Sequence, residues 1–274
     1  MDDRDHDEIR ARVRTAYAKV ALGAGGCQGR SEGRSVGCCG TEGAGSLVLG
    51  YTPDDLASAP EGADLGLGCG NPQAIAALRP GDTVLDLGSG AGFDCFLAAA
   101  RVGAGGRVIG VDMTPEMVSK ARENARRARA ANVEFRLGEI EHLPVADASI
   151  DVIISNCVIN LAPDKSAVFR EAIRVLKAGG RLAVSDVVAT RALPPQLATS
   201  VEARTGCVAG AARVDDLRAR LVEVGFESVK IAPRDDSRAI LGRCLPGAED
   251  YLASATVEAR KPDPAPCCPP ACCT

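Results

Sequence analysis

The stretch that most constrains the fold of this chain is residues 83–94, with the sequence TVLDLGSGAGFD. A run rich in β-branched residues and leucine breaks into glycines and continues as an apolar, Ala-rich segment, which predicts a strand, a tight loop and a helix. Gly88, Gly90 and Gly92 allow positive φ and a close ligand approach, and the start of the helix offers unpaired N–H groups. We therefore expect a nucleotide-like ligand at this loop.

The spacing of these glycines argues against a dinucleotide. In the G-x-G-x-x-G fingerprint the third glycine would fall on Phe93, so this loop is a poor match to a binding site for the pyrophosphate of NAD. The pattern Asp86-x-Gly-x-Gly-x-Gly instead resembles the first motif of the S-adenosylmethionine methyltransferases. The resemblance implies that Asp86 and the loop amides hold the amino-acid end of a cofactor without phosphates. An ordinary glycine turn in an α/β sheet is the alternative.

A second acidic residue follows at the distance expected for a nucleoside site. Asp112 ends the apolar run VIGVD, 26 positions after Asp86, where doubly wound folds place the acid that accepts ribose hydroxyls. A third strand over 132–137 leads into Gly138-Glu-Ile. By resemblance, Glu139 and Ile140 border the adenine, with Met113 against one face of the ring. Plain packing is an equal alternative for Met113 and Ile140.

Composition excludes several classes of protein. The chain has 274 residues, 46% of them hydrophobic, a formal charge of −4 and a pI near 5.4, which gives no basic footprint for nucleic acid. No apolar run approaches the length of a membrane span. The first eight residues, MDDRDHDE, are charged where a signal peptide is apolar, so we expect a cytoplasmic protein with no nucleic-acid or membrane partner and with reduced thiols. Its twelve cysteines lack zinc-ribbon spacing and need another explanation.

The first 50 residues are predicted to form a thiol-bearing extension. Apolar residues at helical spacing predict an amphipathic helix from about Asp7 to Val20. Nine of the 23 residues from 23 to 45 are glycine, which predicts a mobile segment carrying Cys27 and the pair Cys38-Cys39. Thr52 then caps a short helix that ends at Pro60, and the glycine loop around Cys69 precedes a helix opened by Pro72.

Residues 51–190 are predicted to form one cofactor-binding domain. Strands and helices alternate: helices over 93–102, 114–131 and 163–176, and strands over 108–111, 150–155 and 180–188. This alternation predicts a parallel sheet with helices on both faces and ligands beyond the carboxyl ends of the strands. Asn156 and Cys157 end the fourth strand, so we expect them where a donated methyl group would emerge.

The remainder is predicted to be a substrate-side cap over 191–262 and a disordered tail over 263–274. The cap contains a helix that reaches Gly206-Cys-Val-Ala-Gly, a helix over 215–224, and strands near 229 and over 253–259, one of them the antiparallel strand typical of methyltransferase sheets. The tail, KPDPAPCCPPACCT from residue 261, has too many prolines for a helix or a central strand.

Several cysteines sit in glycine-flanked or strand-end loops. They are Cys69, Cys157 and Cys207, with Cys38-Cys39 as a further centre; a thiol in a loop as open as that of Cys69 is not expected to be core, whereas Cys95, beside Phe96 and Leu97, is. Four segments closely resemble motifs of the arsenite S-adenosylmethionine methyltransferases: GLGCGNP from residue 66, GEIEHLPV from 138, ISNCVINL from 154 and GCVAGA from 206. The resemblance extends over about residues 51–261.

This resemblance implies an α/β, Rossmann-like class I methyltransferase with a mainly parallel, doubly wound sheet and an antiparallel edge strand. It implies transfer of the methyl group of S-adenosylmethionine to arsenite or methylarsenite, held by thiolates. It also implies a cellular thiol reductant such as thioredoxin or glutathione. The implied catalytic thiols are Cys69, Cys157 and Cys207, which also bind arsenic, and Cys39 or Cys38. The implied cofactor-binding residues are Asp86, Gly88, Ser89, Gly90, Gly92, Asp112, Met113, Glu139, Ile140 and Asn156.

The chemistry of trivalent arsenic suits this residue set independently. Arsenic is soft and thiophilic, so thiolates from separate loops can displace its hydroxides and leave its lone pair free to attack. No proton leaves the arsenic, which fits the absence of an obvious base among two histidines, His6 and His142. The chain departs from its relatives in having no tryptophan. Two alternatives remain: a metalloid-sequestering protein on a methyltransferase scaffold, and a carbon methyltransferase acting on a quinone or sterol.

Overall fold

The computed structural model describes residues 3–23, 45–194, 210–244 and 247–264. Helices and strands alternate through the middle of the chain, as the sequence predicts. The helices are α1 (Asp3–Ala21), α2 (Gly45–Val48), α3 (Pro53–Ser58), α4 (Gln73–Ala76), α5 (Phe93–Val102), α6 (Pro115–Ala128), α7 (Lys165–Val175), α8 (Val214–Glu223) and α9 (Ser237–Cys244), with 3₁₀ turns at Ile159–Leu161 and Ala248–Asp250. The strands are β1 (Thr83–Leu87), β2 (Arg107–Asp112), β3 (Val133–Leu137), β4 (Ile150–Asn156), β5 (Leu176–Ala189), β6 (Glu227–Pro233) and β7 (Leu252–Arg260).

Within the described ranges these strands form one sheet in the order β3-β2-β1-β4-β5-β7-β6. β1 to β5 are parallel, and β7 runs antiparallel to both β5 and β6, which confirms the predicted fold class. Because the order reverses between β1 and β4, the carboxyl ends of these two strands flank a crevice suited to a ligand. Asp86 in β1 and Asn156 in β4 both lie at this edge.

The sheet is buried on both faces. β4 is an apolar run of valine and isoleucine whose residues from Val152 to Ser155 are buried, as is typical of a parallel strand covered by helices. One apolar cluster packs α7 and α8 against the sheet around Phe169, and another packs α5 and α6 around Phe96. The site at the sheet edge therefore rests on a rigid, close-packed layer.

Local sequence signals set most helix ends. Thr52 forms a capping box with Asp55, and the Asp164 side chain accepts a hydrogen bond from Ala167 N, so α7 begins later than residue 163. Helix α6 ends at Ala128, three residues before the predicted end, because Arg129 adopts a left-handed conformation with φ 53°.

The fifth strand is longer than predicted. β5 begins at Leu176 rather than at residue 180, and residues 177–180 form an irregularity within it, because Leu176 pairs with Ile150 and Arg181 with Val152. Helix α9 was not predicted from the sequence. The glycine-rich segment over 24–44, the helix expected near 201–204 and the tail from 265 onward lie outside the described residues. Among the described helices, none is long and apolar enough to cross a membrane.

Candidate active site

A cavity opens at the carboxyl ends of β1, β2 and β4. Its wall includes the loop after β1, where Gly88 has φ 70° and a Cβ atom would stand 2.3 Å from Cγ2 of Val158. Gly90 faces open space, and the Ser89 hydroxyl is buried without a hydrogen-bond partner among the described residues. A close backbone approach and an unsatisfied buried hydroxyl are both features of a surface that binds a ligand. Gly92 does not line the cavity; it is the N-cap residue of α5 and packs against Phe135.

The predicted carboxylates stand at the ends of their strands and line this cavity. Asp86 is buried, and Cys95 donates its thiol hydrogen to Asp86 Oδ2 at 3.2 Å. Asp112 accepts hydrogen bonds from the backbone of Gly90 at 2.9 Å and of Thr114 at 2.8 Å, so its carboxylate is fixed against the loop. Burial raises the pKa of Asp112, and burial together with neighbouring Asp94 raises the pKa of Asp86 well above its ordinary value.

Asp94, in the first turn of α5, is a third acidic group of the cavity wall, and the sequence analysis missed it. Burial raises the pKa of Asp94, and the hydrogen bond from Tyr51 lowers it. Burial has the larger effect, so the pKa is about 6. The Tyr51 hydroxyl donates to the Asp94 carboxylate at 2.9 Å, and Asn156 Nδ2 donates to the Tyr51 oxygen at 3.0 Å. An acid directly after a glycine loop was the signal available for Asp94, but nothing local in the sequence connects it with Tyr51.

The expected adenine side of the cavity is partly as predicted. Met113 and Ile140 line it. Glu139 does not, because its carboxylate contacts Arg10 Nε at 3.3 Å and Arg14 Nη1 at 3.4 Å on α1. Its neighbour Glu141 lines the cavity instead and accepts a hydrogen bond from Arg10 at 3.2 Å.

Helix α1 covers this side of the cavity, although no site residue was predicted on it from the sequence. Arg10, Val13 and Tyr17 share one helical face and line the cavity. Val13 is 3% exposed and packs in one apolar cluster with Leu161. The amphipathic spacing predicted the helix, and only the tertiary structure showed what its apolar face contacts.

Sulfur atoms meet next to the cofactor-type residues. Three ligand atoms lie within 4.8 Å of one another: Sγ of Cys69, Sγ of Cys157 and a carboxylate oxygen of Asp186. Cys157 follows β4, lines the cavity and has φ 59°, a conformation that non-glycine residues rarely adopt; its N–H donates to Ser185 O at 2.8 Å. The prediction that Cys69 is not core is wrong, since it is 2% exposed and packs with Val187 and Leu252.

Hydrogen bonds to its backbone place Cys69 against the sheet. Its N–H donates to Asn156 Oδ1 at 3.0 Å, and Ser254 donates to its carbonyl oxygen at 2.5 Å. The preceding Gly68 has φ 143°, and a Cβ atom there would stand 2.8 Å from the Asn156 amide nitrogen. Asn156 therefore contacts the Cys69 loop on one side and Tyr51 on the other. The glycines that made this loop look open to solvent are what let it pack closely.

Four further cysteines were singled out from the sequence, and the structure describes one of them. Cys95 is fully buried in α5, as predicted, whereas its contact with Asp86 was not predicted from the sequence. Cys207, Cys38 and Cys39 lie outside the described residues, so their expected approach to Cys69 and Cys157 stays a prediction. Arg234, which was not predicted from the sequence either, lies near the Cys69 loop, because a Cβ atom on Gly70 would stand 3.5 Å from its Nη1. A hydrogen bond to Asp236 raises the pKa of Arg234.

Known proteins share both the sequence and the fold. A family model described as a methyltransferase domain matches residues 78–231. The chain is 58% identical to an arsenite methyltransferase of Halobacterium salinarum, over 95% of this chain and 68% of the relative. It is 33% identical to an arsenite methyltransferase of Mus musculus, over 88% of this chain and 66% of the relative. The chain thus spans about two thirds of the length of these curated relatives.

Solved structures agree with these matches. A crystal structure of an arsenic(III) S-adenosylmethionine methyltransferase from Chlamydomonas reinhardtii superposes with a TM-score of 0.61 at 32% identity, over 82% of this chain and 76% of that one. A phosphoethanolamine N-methyltransferase of Haemonchus contortus bound to S-adenosyl-L-methionine, 19% identical with a TM-score of 0.59, shares the fold. On this evidence, the chain belongs to the arsenite methyltransferases, within the S-adenosylmethionine-dependent methyltransferases.

Proposed function

We propose that this protein transfers the methyl group of S-adenosylmethionine to trivalent arsenic held by the thiolates of Cys69 and Cys157. The observation that carries the proposal is the position of Cys157. It lines the cofactor-type cavity, and its sulfur lies within 4.8 Å of the Cys69 sulfur. A soft ligand pair next to a nucleoside-type site suits a reaction that joins a thiophilic element to a cofactor.

The residues of the cavity fit this cofactor. Asp86 and Asp94 offer carboxylates to its amino-acid end, and Asp112 offers one to the ribose hydroxyls. Ser89, with its buried hydroxyl, and Gly90, which faces open space, line the same cavity. Burial without a cation raises the pKa of these acids, and a ligand with positive charge would relieve that cost. Met113 and Ile140 offer apolar contacts to the adenine. Asn156 positions the Cys69 loop beside them.

The thiolates hold the substrate and need no base at the arsenic. Each thiol that binds replaces one hydroxide, and its proton leaves with that hydroxide as water. When bound, S-adenosylmethionine supplies an electrophilic methyl group on a sulfonium centre, which the arsenic lone pair can attack. Cys69 and Cys157 then contribute by orienting that lone pair towards the cavity. Cys157 and Cys207 form the pair that holds both substrates, and Cys69 or the Cys38-Cys39 centre serves as the third thiolate for inorganic arsenite or as the reducing partner.

Methyl transfer oxidises arsenic formally by two electrons. Two thiols of the protein return it to the trivalent state as they form one disulfide and release their protons. A small thiol or a dithiol protein, of the glutathione or thioredoxin type, then reduces that disulfide. We further propose that residues 1–50 and 191–262 bring the additional thiols to a cofactor-binding domain formed by 51–190, with the tail, 263–274, outside the reaction.

The experiment is to follow product formation from arsenite and from methylarsenite in parallel, with labelled S-adenosylmethionine. Cys157→Ser and Cys207→Ser should each abolish both methylations, because a hydroxyl cannot replace a thiolate on soft arsenic. Cys69→Ser, or Cys38→Ser combined with Cys39→Ser, should lose the first methylation and keep much of the second, since methylarsenite offers only two exchangeable positions.

Cys95→Ser serves as the matched control. Cys95 is buried and reaches Asp86 rather than the thiol pair, so this variant should still bind arsenite. Equal loss of both methylations in the Cys69 and Cys38-Cys39 variants would contradict the division of labour. Arsenite binding by the wild type without any methyl transfer would instead favour a sequestering protein, and transfer to a quinone or sterol would favour a carbon methyltransferase.

A further inference from the structure

Asp186 has no task in the arsenic chemistry described above. Its carboxylate lies with the sulfur atoms of Cys69 and Cys157 in a group whose ligand atoms are all within 4.8 Å of one another. Asp186 is 4% exposed and stands near the carboxyl end of β5, next to β4 and its Cys157. A carboxylate oxygen is a hard ligand that arsenic does not prefer over sulfur, so the mixed set of two sulfurs and one oxygen fits another kind of ion.

Neighbouring groups fix the orientation of this carboxylate. Asp186 Oδ1 accepts hydrogen bonds from Val187 N at 2.7 Å and from Asn160 Nδ2 at 2.9 Å, and Oδ2 accepts one from Asn160 N at 3.3 Å. Carboxylates that bind metals are held by outer hydrogen bonds of this kind, which set their direction and raise ligand affinity. The Asn160 amide also donates to Val187 O at 2.6 Å, so the donor is itself fixed.

We propose that Cys69, Cys157 and Asp186 form a binding site for a borderline-soft divalent cation, zinc in particular. Three protein ligands of sulfur and oxygen, with a fourth position left open, are a coordination set that zinc accepts. Zinc–sulfur bonds of about 2.3 Å and zinc–oxygen bonds of about 2.0 Å place tetrahedral ligands roughly 3.5–3.8 Å apart. The present separations, at most 4.8 Å, therefore require the side chains to close by about 1.3 Å or less.

Charge favours the same ion. Both thiols lose their protons to solvent when a metal binds, so the ligands carry two thiolates and a carboxylate in a buried place. A divalent cation offsets most of that charge, and no oxidation or reduction is involved. Arsenite and zinc would then compete for Cys69 and Cys157, while only zinc would use Asp186. This competition rests on the proposed function; the cation site itself does not.

The test compares wild-type protein with Asp186→Asn in the full chain, with cadmium as the spectroscopic probe. Other cysteines of the chain also bind cadmium, so the informative quantity is the difference between the two cadmium NMR spectra, whose chemical shifts report how many sulfurs bind. We expect one mixed sulfur–oxygen resonance to disappear in the variant. Zinc should then inhibit methylation at least about tenfold more weakly, while arsenite binding should change by no more than about twofold.

Asp94→Asn is the matched control, because it also removes a buried carboxylate but one that is not part of this ligand group. It should keep the cadmium resonance. Should Asp186→Asn fail to fold, as judged by its melting temperature, Cys157→Ser provides a second test: a mixed sulfur–oxygen resonance must be present in the wild type and absent from this variant, and a wild-type spectrum with only all-sulfur resonances would overturn the proposal.

Identical cadmium spectra and identical zinc inhibition in wild type and Asp186→Asn would overturn the proposal. So would an equal loss of arsenite and cadmium binding in that variant, because Asp186 would then belong to the arsenic site. A wild type that shows the Asp186-dependent resonance but methylates no arsenical would support the cation site and contradict the proposed function, so the two failures are distinguishable.

Discussion

The carboxyl edge of the sheet offers oxygen at one end and sulfur at the other. β1 and β2 end in the carboxylates of Asp86 and Asp112, whereas the ends of β4 and β5 bring Cys157 together with Cys69 and Asp186. Carboxylates suit the hydroxyl and ammonium groups of an organic cofactor, and thiolates suit a soft element. Asn156 lies between the two ends and is hydrogen-bonded to both. One mainly parallel sheet thus places an oxygen-rich site and a thiol site side by side.

Among the acids of the oxygen end, Asp94 is the one whose substitution should have the largest effect. A pKa raised from 3.8 to about 6 means that the ionised carboxylate costs the unliganded fold up to about 3 kcal/mol. Because the folded pKa is raised, the wild type loses this stability as the pH rises through the window from about 4 to 6. Asp94→Asn should therefore stabilise the unliganded protein at pH 7 and have little effect at pH 4, as measured by urea unfolding.

The same variant should bind the cofactor more weakly. A cationic ligand favours ionised Asp94, so wild-type affinity for S-adenosylmethionine should fall as the pH drops below about 6, and Asp94→Asn should show less of this dependence. Asp147→Asn, which removes an exposed carboxylate paired with Arg174, should leave both properties nearly unchanged. Equal pH profiles for wild type and Asp94→Asn would show that another acid controls binding.

Asp112→Ala should separate the two ends by affinity. Loss of a charge-assisted hydrogen bond to the ribose costs about 1.5–3 kcal/mol, or roughly ten- to a hundredfold in affinity for S-adenosylmethionine. Arsenite binding, which depends on the thiols, should be unchanged. Calorimetric titration with each ligand measures both. Asp112→Asn is the milder partner, since its amide oxygen can still accept from Thr114 N, and unchanged cofactor affinity in the alanine variant would contradict the assignment to ribose.

Tyr51→Phe should weaken the connection between the two ends. The hydroxyl joins Asp94 to Asn156, and Asn156 also accepts from Cys69 N, so its removal should cost about 0.5–1.5 kcal/mol, or roughly two- to tenfold in turnover. Arsenite affinity measured with and without S-adenosylhomocysteine shows whether the sites are coupled through this chain. Tyr51→Leu, which also removes the edge-to-face contact with Phe93, distinguishes the ring from the hydroxyl. If both variants couple the sites as the wild type does, the hydrogen-bonded chain has no such role.

The smallest effect is expected from removing residues 265–274, which carry four cysteines. Methylation should persist and the unfolding free energy should change by no more than about 0.5 kcal/mol. A deletion that starts at Lys261 would remove more than this tail. Lys261 N donates to Gly180 O, its carbonyl accepts from Gly179, and its ammonium group donates to Ile173 O and Leu176 O. Deletion from residue 261 should cost about 2 kcal/mol or more. Lost methylation in the shorter variant would assign the tail thiols to the sulfur end.

The sequence by itself determined the cofactor end of this protein, because its signals are local. The strand, the glycine loop and the helix from 83 to 102 are contiguous, and the acid at 112 follows at a spacing fixed by one strand–helix–strand unit. The antiparallel strand and the buried position of Cys95 were also predictable. Glu139 is the exception there, since its neighbours on α1 come from more than 120 residues away in the chain and occupy its carboxylate.

Only the tertiary structure decided what surrounds the thiols. Cys69 looked exposed because its glycines suggested an open loop, and it is buried because those glycines let the loop pack against Asn156 and Ser185. Nothing in the sequence of β5 marks Asp186 as a site residue. It lies beside Cys69 and Cys157 because β4 and β5 pair in register and the Cys69 loop packs against both strands. Cys69 precedes Cys157 by 88 positions and Asp186 by 117 positions. Contacts at such separations leave no local sequence pattern, since they depend on strand order and packing rather than on spacing.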